Sequence, residues 1–149
     1  MTAAELPPEV VDWLQSERLV VLATASSDGV PATHVVSWVV AVDTRTVRFA
    51  VRHAAETVAH VRQTGRLAME VVGDGFSIGA RGAARIVREH MPSTPRENAM
   101  IELTVEEVVS HLPQGMALRG PAWDVPPGRE LDAAARSGAV YEELRRGAD

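Results

Sequence analysis

The chain has 149 residues, enough for one domain with a single core, and its 46% apolar and 23% charged residues are an ordinary globular balance. With no cysteine, a disulfide framework, a thiolate metal site and a cysteine nucleophile are excluded. A net charge of −5 opposes a dedicated nucleic-acid binder, and no apolar run approaches the length of a bilayer span.

The opening "MTAAELPPEVV" lacks a charged-then-apolar signal pattern, so a cytoplasmic location is expected. Prolines and an acid at the start of "LPPEVVDWLQ" predict a short amphipathic helix over residues 7–16 with Trp13 turned inward. The β-branched run "LVVLATAS" (19–26) predicts a strand, and "SDGVP" (27–31) a hairpin turn centred on Asp-Gly. "ATHVVSWVVAVD" (32–43) and "TVRFAVRH" (46–53) follow as strands. In the second, Val47, Phe49 and Val51 share one face, and Arg48, Ala50 and Arg52 the other.

"AAETVAHVRQTG" (54–65) reads as a helix with Val58 and Val61 on one side and Gly65 as its stop. Strands are predicted at 66–74, 75–90 and 98–109. In the last, Thr104 and Glu107 fit either a capping box opening a helix or a strand running on through Val108 and Val109. "LPQGMALRGPAWDVPPG" is irregular, and "RELDAAARSGAVYEELRR" is a helical stretch interrupted by Gly138. The expected fold is mainly β with flanking helices: a single domain over 1–149, its core at about 7–110 a six-stranded antiparallel split β-barrel, with an extension over 111–149. Closure or near-closure of such a sheet removes exposed edges.

All 15 basic residues are arginine. From 45 to 66 the chain carries Arg45, Arg48, Arg52, Arg62 and Arg66 against one acid, Glu56, and this imbalance suggests a bound anion. Arg52 and His53 sit where a strand runs into a helix, and the first turn of a helix offers unpaired N–H groups and a partial positive charge. No G-x-S-x-G elbow, paired zinc-binding histidines or P-loop is present, and the glycines of "GDGFSIGARGAAR" read as strand bends and close packing. With no self-contained catalytic set, the chemistry falls to a cofactor. Aromatic residues make up 4%, too few for a nucleic-acid stacking platform.

Over roughly residues 7–110 the chain resembles the flavin-binding split-barrel superfamily, the group similar to pyridoxamine 5′-phosphate oxidase. The likeness rests on "ATASSDGVP" in the first hairpin, the strand "TVRFAVRH", the helix "ETVAHVRQTG" before "RLAMEVV", and Arg81, Gly82, Ala84 and Ile86 of "SIGARGAARIV". The resemblance implies a homodimer with FMN in a groove at the subunit interface, and an oxidoreductase acting on a small molecule. Deazaflavin F420 and haem are the alternative cofactors it implies.

It also places the flavin phosphate at the strand-to-helix join, with a family pattern of about F-x-T-x-x-x-S-x-K-x-x-N-L. Phe49 matches. Val51 stands at the Thr position, Ala55 at the Ser, Thr57 at the Lys, His60 at the Asn and Val61 at the Leu. Arg52, with Thr57 and Arg62, is then the expected phosphate grip beside Val51, and His34 and Ser37 are the expected neighbours of the ring. Trp38 is expected in the core or the dimer interface, and Trp123 in a loop filling a gap or capping a pocket. The oxidase's R-x-H-x-R substrate element is absent from "RGPAWDVPPGRELDAAARSG", which argues against pyridoxine phosphate oxidation. The replacements leave a second reading: the same fold with a degenerate cofactor site, acting as a non-enzymatic ligand-binding protein.

Overall fold

The structure, a computed structural model, describes residues 2–119, 127–128 and 130–148; Trp123 lies outside them. The elements run β1 (Thr2–Ala3), α1 (Pro8–Trp13), β2 (Val20–Ala25), β3 (Pro31–Val36), β4 (Val39–Ala41), β5 (Thr46–Arg52), α2 (Glu56–Thr64), β6 (Arg66–Gly73), β7 (Phe76–Arg88), β8 (Asn98–Ser110) and α3 (Glu130–Arg146). The strands form one antiparallel sheet in the order β3-β2-β6-β7-β8-β5-β4, with β1 paired to β8. The curled sheet is the expected split barrel, with eight strands instead of six.

Two of the differences have clear physical causes. The run 32–43 is not one strand: it breaks at Ser37 and Trp38 because the chain changes partner there. β3 pairs with β2, whereas β4 pairs with β5, at the other end of the sheet order. The third helix is continuous through Gly138, which faces open space. A solvent-facing glycine costs a helix only about 1 kcal/mol relative to alanine, and Val140 and Leu144, both fully buried, hold this one down. At Thr104 the strand reading holds, since β8 runs on to Ser110.

Alternating residues fill the interior. In β6, Leu67, Met69 and Val71 point inward, as a period of two requires, while Arg66, Ala68 and Glu70 alternate with them. Trp13 sits half-buried against this core, edge-to-face with Phe76 at 5.6 Å. α2 closes one end with Val58 and Val61, and Gly65 stops it in the left-handed region at φ 64°, its N–H donating to the Val61 carbonyl. Gly82 lies where β7 and β8 slip register, and a Cβ there would overlap the Thr104 carbonyl oxygen.

A second, smaller core lies on the outer face. Val40, Ala50 and Met100 meet Val140, Tyr141 and Leu144 of α3. That is why β4 and the start of β8 are buried without alternation: α3 covers the face that would otherwise meet water.

Candidate functional site

The barrel is split at one seam, and the seam is made by the chain's change of partner. β4 pairs only with Val47, Arg48 and Phe49 of β5, and the last bond across this edge runs from the Ala50 N–H to the Trp38 carbonyl, at 2.9 Å. Among the described residues, Val51 and Arg52 therefore have β8 on one side and no strand on the other. β3 likewise pairs only with β2 among the described residues. Between the two free edges lies a pocket of about 210 Å³ lined by His34, Ser37, Trp38, Val51, Arg52 and Asn98, among others. Two strand edges border the pocket and give it backbone donors, and α2 reaches it through the Thr57 contact to His34.

α2 leaves β5 through His53, Ala54 and Ala55. Ala55 is its N-cap and provides no side-chain cap. The N–H groups of Glu56 and Thr57 have no acceptor among the described residues. The Thr57 side chain is buried and its Oγ1 lies 3.0 Å from His34 Nδ1. One turn on, His60 is also buried, with Nδ1 3.0 Å from Thr24 Oγ1. These two bonds stitch α2 to β3 and β2.

The structure thus brings His34 and Thr57 into contact and sets Val51 and Arg52 on the opposite lip. Val51 is buried in the barrel core, while Arg52 is exposed. Arg52 makes no ion pair among the described residues, and the same holds for Arg45. The other arginines of the basic stretch are taken up elsewhere. Arg48 binds Glu102 and two carbonyls at the end of α3, and Arg66 binds Glu106. Arg62 grips both oxygens of Glu89.

Glu89 also takes a bond from His53 Nε2 at 3.0 Å, and His53 stacks on His90 with ring centroids 4.7 Å apart. The Arg62 bond first, and the His53 bond second, hold the Glu89 carboxyl down at about 2. Arg62 is therefore directed to Glu89 rather than to the seam.

Ser37 lines the pocket, but its hydroxyl turns to Glu17 and its carbonyl to the C-terminal helix. Its Oγ donates to Glu17 Oε1 at 3.4 Å, and its carbonyl accepts the Tyr141 hydroxyl at 3.3 Å. Burial, aided by the Glu17 charge, pushes the Tyr141 phenol well above its ordinary value. Sequence reasoning missed Asn98, which opens β8 directly across from Arg52 and is buried at the pocket floor. Its Nδ2 donates to the Arg96 carbonyl at 2.9 Å. Nothing local in "RENAMIEL" marks it, because only the β5–β8 register carries it to the seam.

A second groove, of about 280 Å³, lies on the outer face of the sheet and includes Val21, Ala23, Ala68, Gly79 and Val109. It adjoins the seam: Val35 lines the seam pocket and is the cross-strand partner of Val21. Among the described residues no three metal-binding side chains gather into a site, and no helix is long and apolar enough to cross a membrane.

A sequence model described as pyridoxamine 5′-phosphate oxidase matches residues 6–111. No curated protein matches the chain. Among solved structures, a candidate pyridoxamine 5′-phosphate oxidase of Lactobacillus delbrueckii superposes with a TM-score of 0.61 at 19% identity, covering 72% of this chain and 95% of its own. An FMN-binding protein of Syntrophomonas wolfei superposes with a TM-score of 0.56 at 13% identity, covering 70% and 88%. The haem-storage protein HutZ of Vibrio cholerae gives 0.56 at 14% identity, covering 70% and 94%. At these identities the likeness is one of fold.

Proposed function

The chain belongs to the pyridoxamine 5′-phosphate oxidase family, and from that premise we propose that it is a dimeric flavoprotein of the oxidoreductase class with FMN at the seam. The observation that carries this reading is Arg52. It is an exposed guanidinium on the pocket lip, without an acid partner among the described residues, beside a helix start whose first amides are open. A guanidinium gives a phosphate two parallel hydrogen bonds, and the helix start adds backbone donors. Arg52, the amides of Glu56 and Thr57, and the Thr57 hydroxyl are the groups that would hold the phosphate. His34 and Ser37 would border the ring. When bound, the flavin supplies hydride transfer between a nicotinamide-type donor and a small acceptor, and the protein supplies orientation and electrostatics.

The outer face supports the proposed dimer. α3 covers the β4, β5 and β8 half of that face, whereas the β2 and β3 half leaves Val21 36% and Val35 57% exposed. A second copy set against Val21 and Val35 would also wall the seam, because Val35 belongs to both surfaces. A pocket of about 210 Å³ is small beside the roughly 300–1,000 Å³ of cofactor sites, and a partner subunit is the means of enlarging it. A cytoplasmic location accords with this chemistry.

The second reading, a non-enzymatic ligand-binding protein, is favoured by the changes at Val51, Ala55 and Thr57. These three stand at the Thr, Ser and Lys positions of the family pattern, and both Thr57 and His60 are buried and bonded to a barrel strand. A visible spectrum of the protein purified without added cofactor separates the two, followed by titration with FMN. Flavin absorbance or quenching of FMN fluorescence supports the flavoprotein. A colourless protein that leaves FMN fluorescence unchanged supports the second reading. A Soret band would point to haem, and binding of F420 alone to the deazaflavin.

A further inference from the structure

Among the described residues no ladder of backbone hydrogen bonds sets the width of the seam, so the separation of β3 from β5 depends on what braces the corner at Ser37 and Trp38. That brace comes from α3, which lies beyond the family-matched residues 6–111. Ser137 and Tyr141 stand one turn apart on the same side of α3. The Tyr141 hydroxyl donates to the Ser37 carbonyl at 3.3 Å, and Trp38 Nε1 donates to Ser137 Oγ at 3.4 Å. The Glu17 carboxylate joins the two sides, taking Ser137 Oγ on Oε2 at 2.8 Å and Ser37 Oγ on Oε1 at 3.4 Å. The corner is thus held on three sides, by β5 through the Trp38 carbonyl, by Glu17 and by α3.

The C-terminal half of α3 is itself well anchored. Arg48 Nη1 donates to the carbonyls of Leu144 and Arg145 at 3.0 Å each, Glu143 faces Arg88, and Val140 and Leu144 are fully buried. Its first half is exposed, with Leu131 87% accessible. Ser137 lies where the anchored half begins.

We propose that α3 sets the width of the seam pocket, with Ser137 and Tyr141 as positioning residues that hold Ser37 and Trp38 in its wall. The proposal rests on the seam being the ligand site only for its effect on binding; the bracing of the corner stands apart from what the pocket holds. The bonds that α3 makes to Ser37 and Trp38, at 3.3 and 3.4 Å, are long and individually weak, so the effect belongs to the set.

The test uses the full chain with Trp38 as the sole tryptophan (Trp13→Phe and Trp123→Phe). Acrylamide quenching of Trp38 is compared in that background, in Ser137→Ala with Tyr141→Phe, and in the control Glu142→Gln, whose side chain is exposed. FMN dissociation constants are measured for the same substitutions with all tryptophans kept. The expected result is a Trp38 quenching constant raised about twofold or more in the double variant, with the melting temperature within about 3 °C of its parent. FMN affinity should fall about tenfold, the scale of losing one or two hydrogen bonds. Tyr141→Phe keeps the ring in the second core, so a merely structural role would leave Trp38 quenching unchanged.

Unchanged quenching overturns the proposal whatever FMN does. Raised quenching with unaltered affinity, in a protein that binds FMN, also overturns it. If the parent binds no FMN, the flavin reading falls, and Trp38 quenching alone decides the bracing role.

Discussion

Arg48→Ala is expected to destabilise the chain far more than a surface ion pair would. Arg48 Nε binds Glu102 Oε2 at 2.8 Å, with side chains only 17% and 11% exposed, and Nη1 binds the carbonyls of Leu144 and Arg145 at 3.0 Å each. A hydrogen bond to a charged group contributes about 1.5–3 kcal/mol, and breaking a buried pair costs about 3–5 kcal/mol. Glu102 keeps Arg85 at 2.9 Å, and water can reach part of the α3 terminus, so the lower part of that range applies, about 3 kcal/mol. For a domain of this size that is roughly 6–12 °C in melting temperature. The assay is thermal unfolding of the wild type, Arg48→Ala and Arg48→Lys at neutral pH. Lysine keeps the charge but cannot present two donor sets at fixed angles, so it should recover less than half of the loss.

The pH dependence follows from the same contacts. Burial alone would raise the Glu102 carboxyl, but the bonds from Arg48 and Arg85 outweigh it and hold it below its ordinary value. A depressed carboxyl gives stability that is present above its unfolded pKa and lost as pH falls through the folded one. The difference between wild type and Arg48→Ala should therefore shrink in acid. A melting shift under about 2 °C at neutral pH, or a difference that grows in acid, would refute this account of α3's anchorage.

Three further outcomes are expected. Gly82→Ala should cost about 3 kcal/mol, because the added Cβ meets the backbone of Thr104 rather than a movable side chain; denaturant unfolding reads it. Arg62→Ala should move the Glu89 carboxyl from about 2 towards its ordinary value, with little change in global stability because both side chains are about half exposed; side-chain NMR titration follows it. For the proposed dimer, Val35→Glu should shift the molecular mass in sedimentation equilibrium from dimer to monomer without loss of secondary structure; a mass that stays dimeric would move the subunit contact off this face, and a monomeric wild type would remove the dimer.

The sequence makes the sheet legible where local period and tertiary structure agree. "TVRFAVR" alternates cleanly and β5 buries Val47, Phe49 and Val51 as expected. Gly65 marks the end of α2 because a left-handed stop needs a residue without Cβ. The corner at Ser37 and Trp38 was not legible. "VVSWVVAV" is uniformly strand-forming, without glycine or proline, and the break follows from an exchange of partners between β2 and β5.

Of the candidate site residues, the sequence made some neighbours legible and others not. His34 and Thr57, 23 residues apart in the chain, do meet. The basic stretch from 45 to 66 misled because partners lie far away in sequence: Glu89 for Arg62, Glu102 for Arg48, Glu106 for Arg66. Only pairing registers show which arginines are already engaged. Asn98 and the Ser137–Tyr141 brace depend on contacts of the same long-range kind.

The central claim, a phosphate held at the seam by Arg52, is tested most directly by FMN fluorescence titration of the wild type, Arg52→Ala and Arg45→Ala. Both arginines are exposed and neither has an acid partner among the described residues, but only Arg52 lines the seam pocket. The account predicts micromolar quenching by the wild type. Arg52→Ala should lose about ten- to a hundredfold in affinity, the scale of one charged contact, and Arg45→Ala should stay within about twofold of the wild type. Equal losses in the two variants, or no quenching by the wild type, would contradict it.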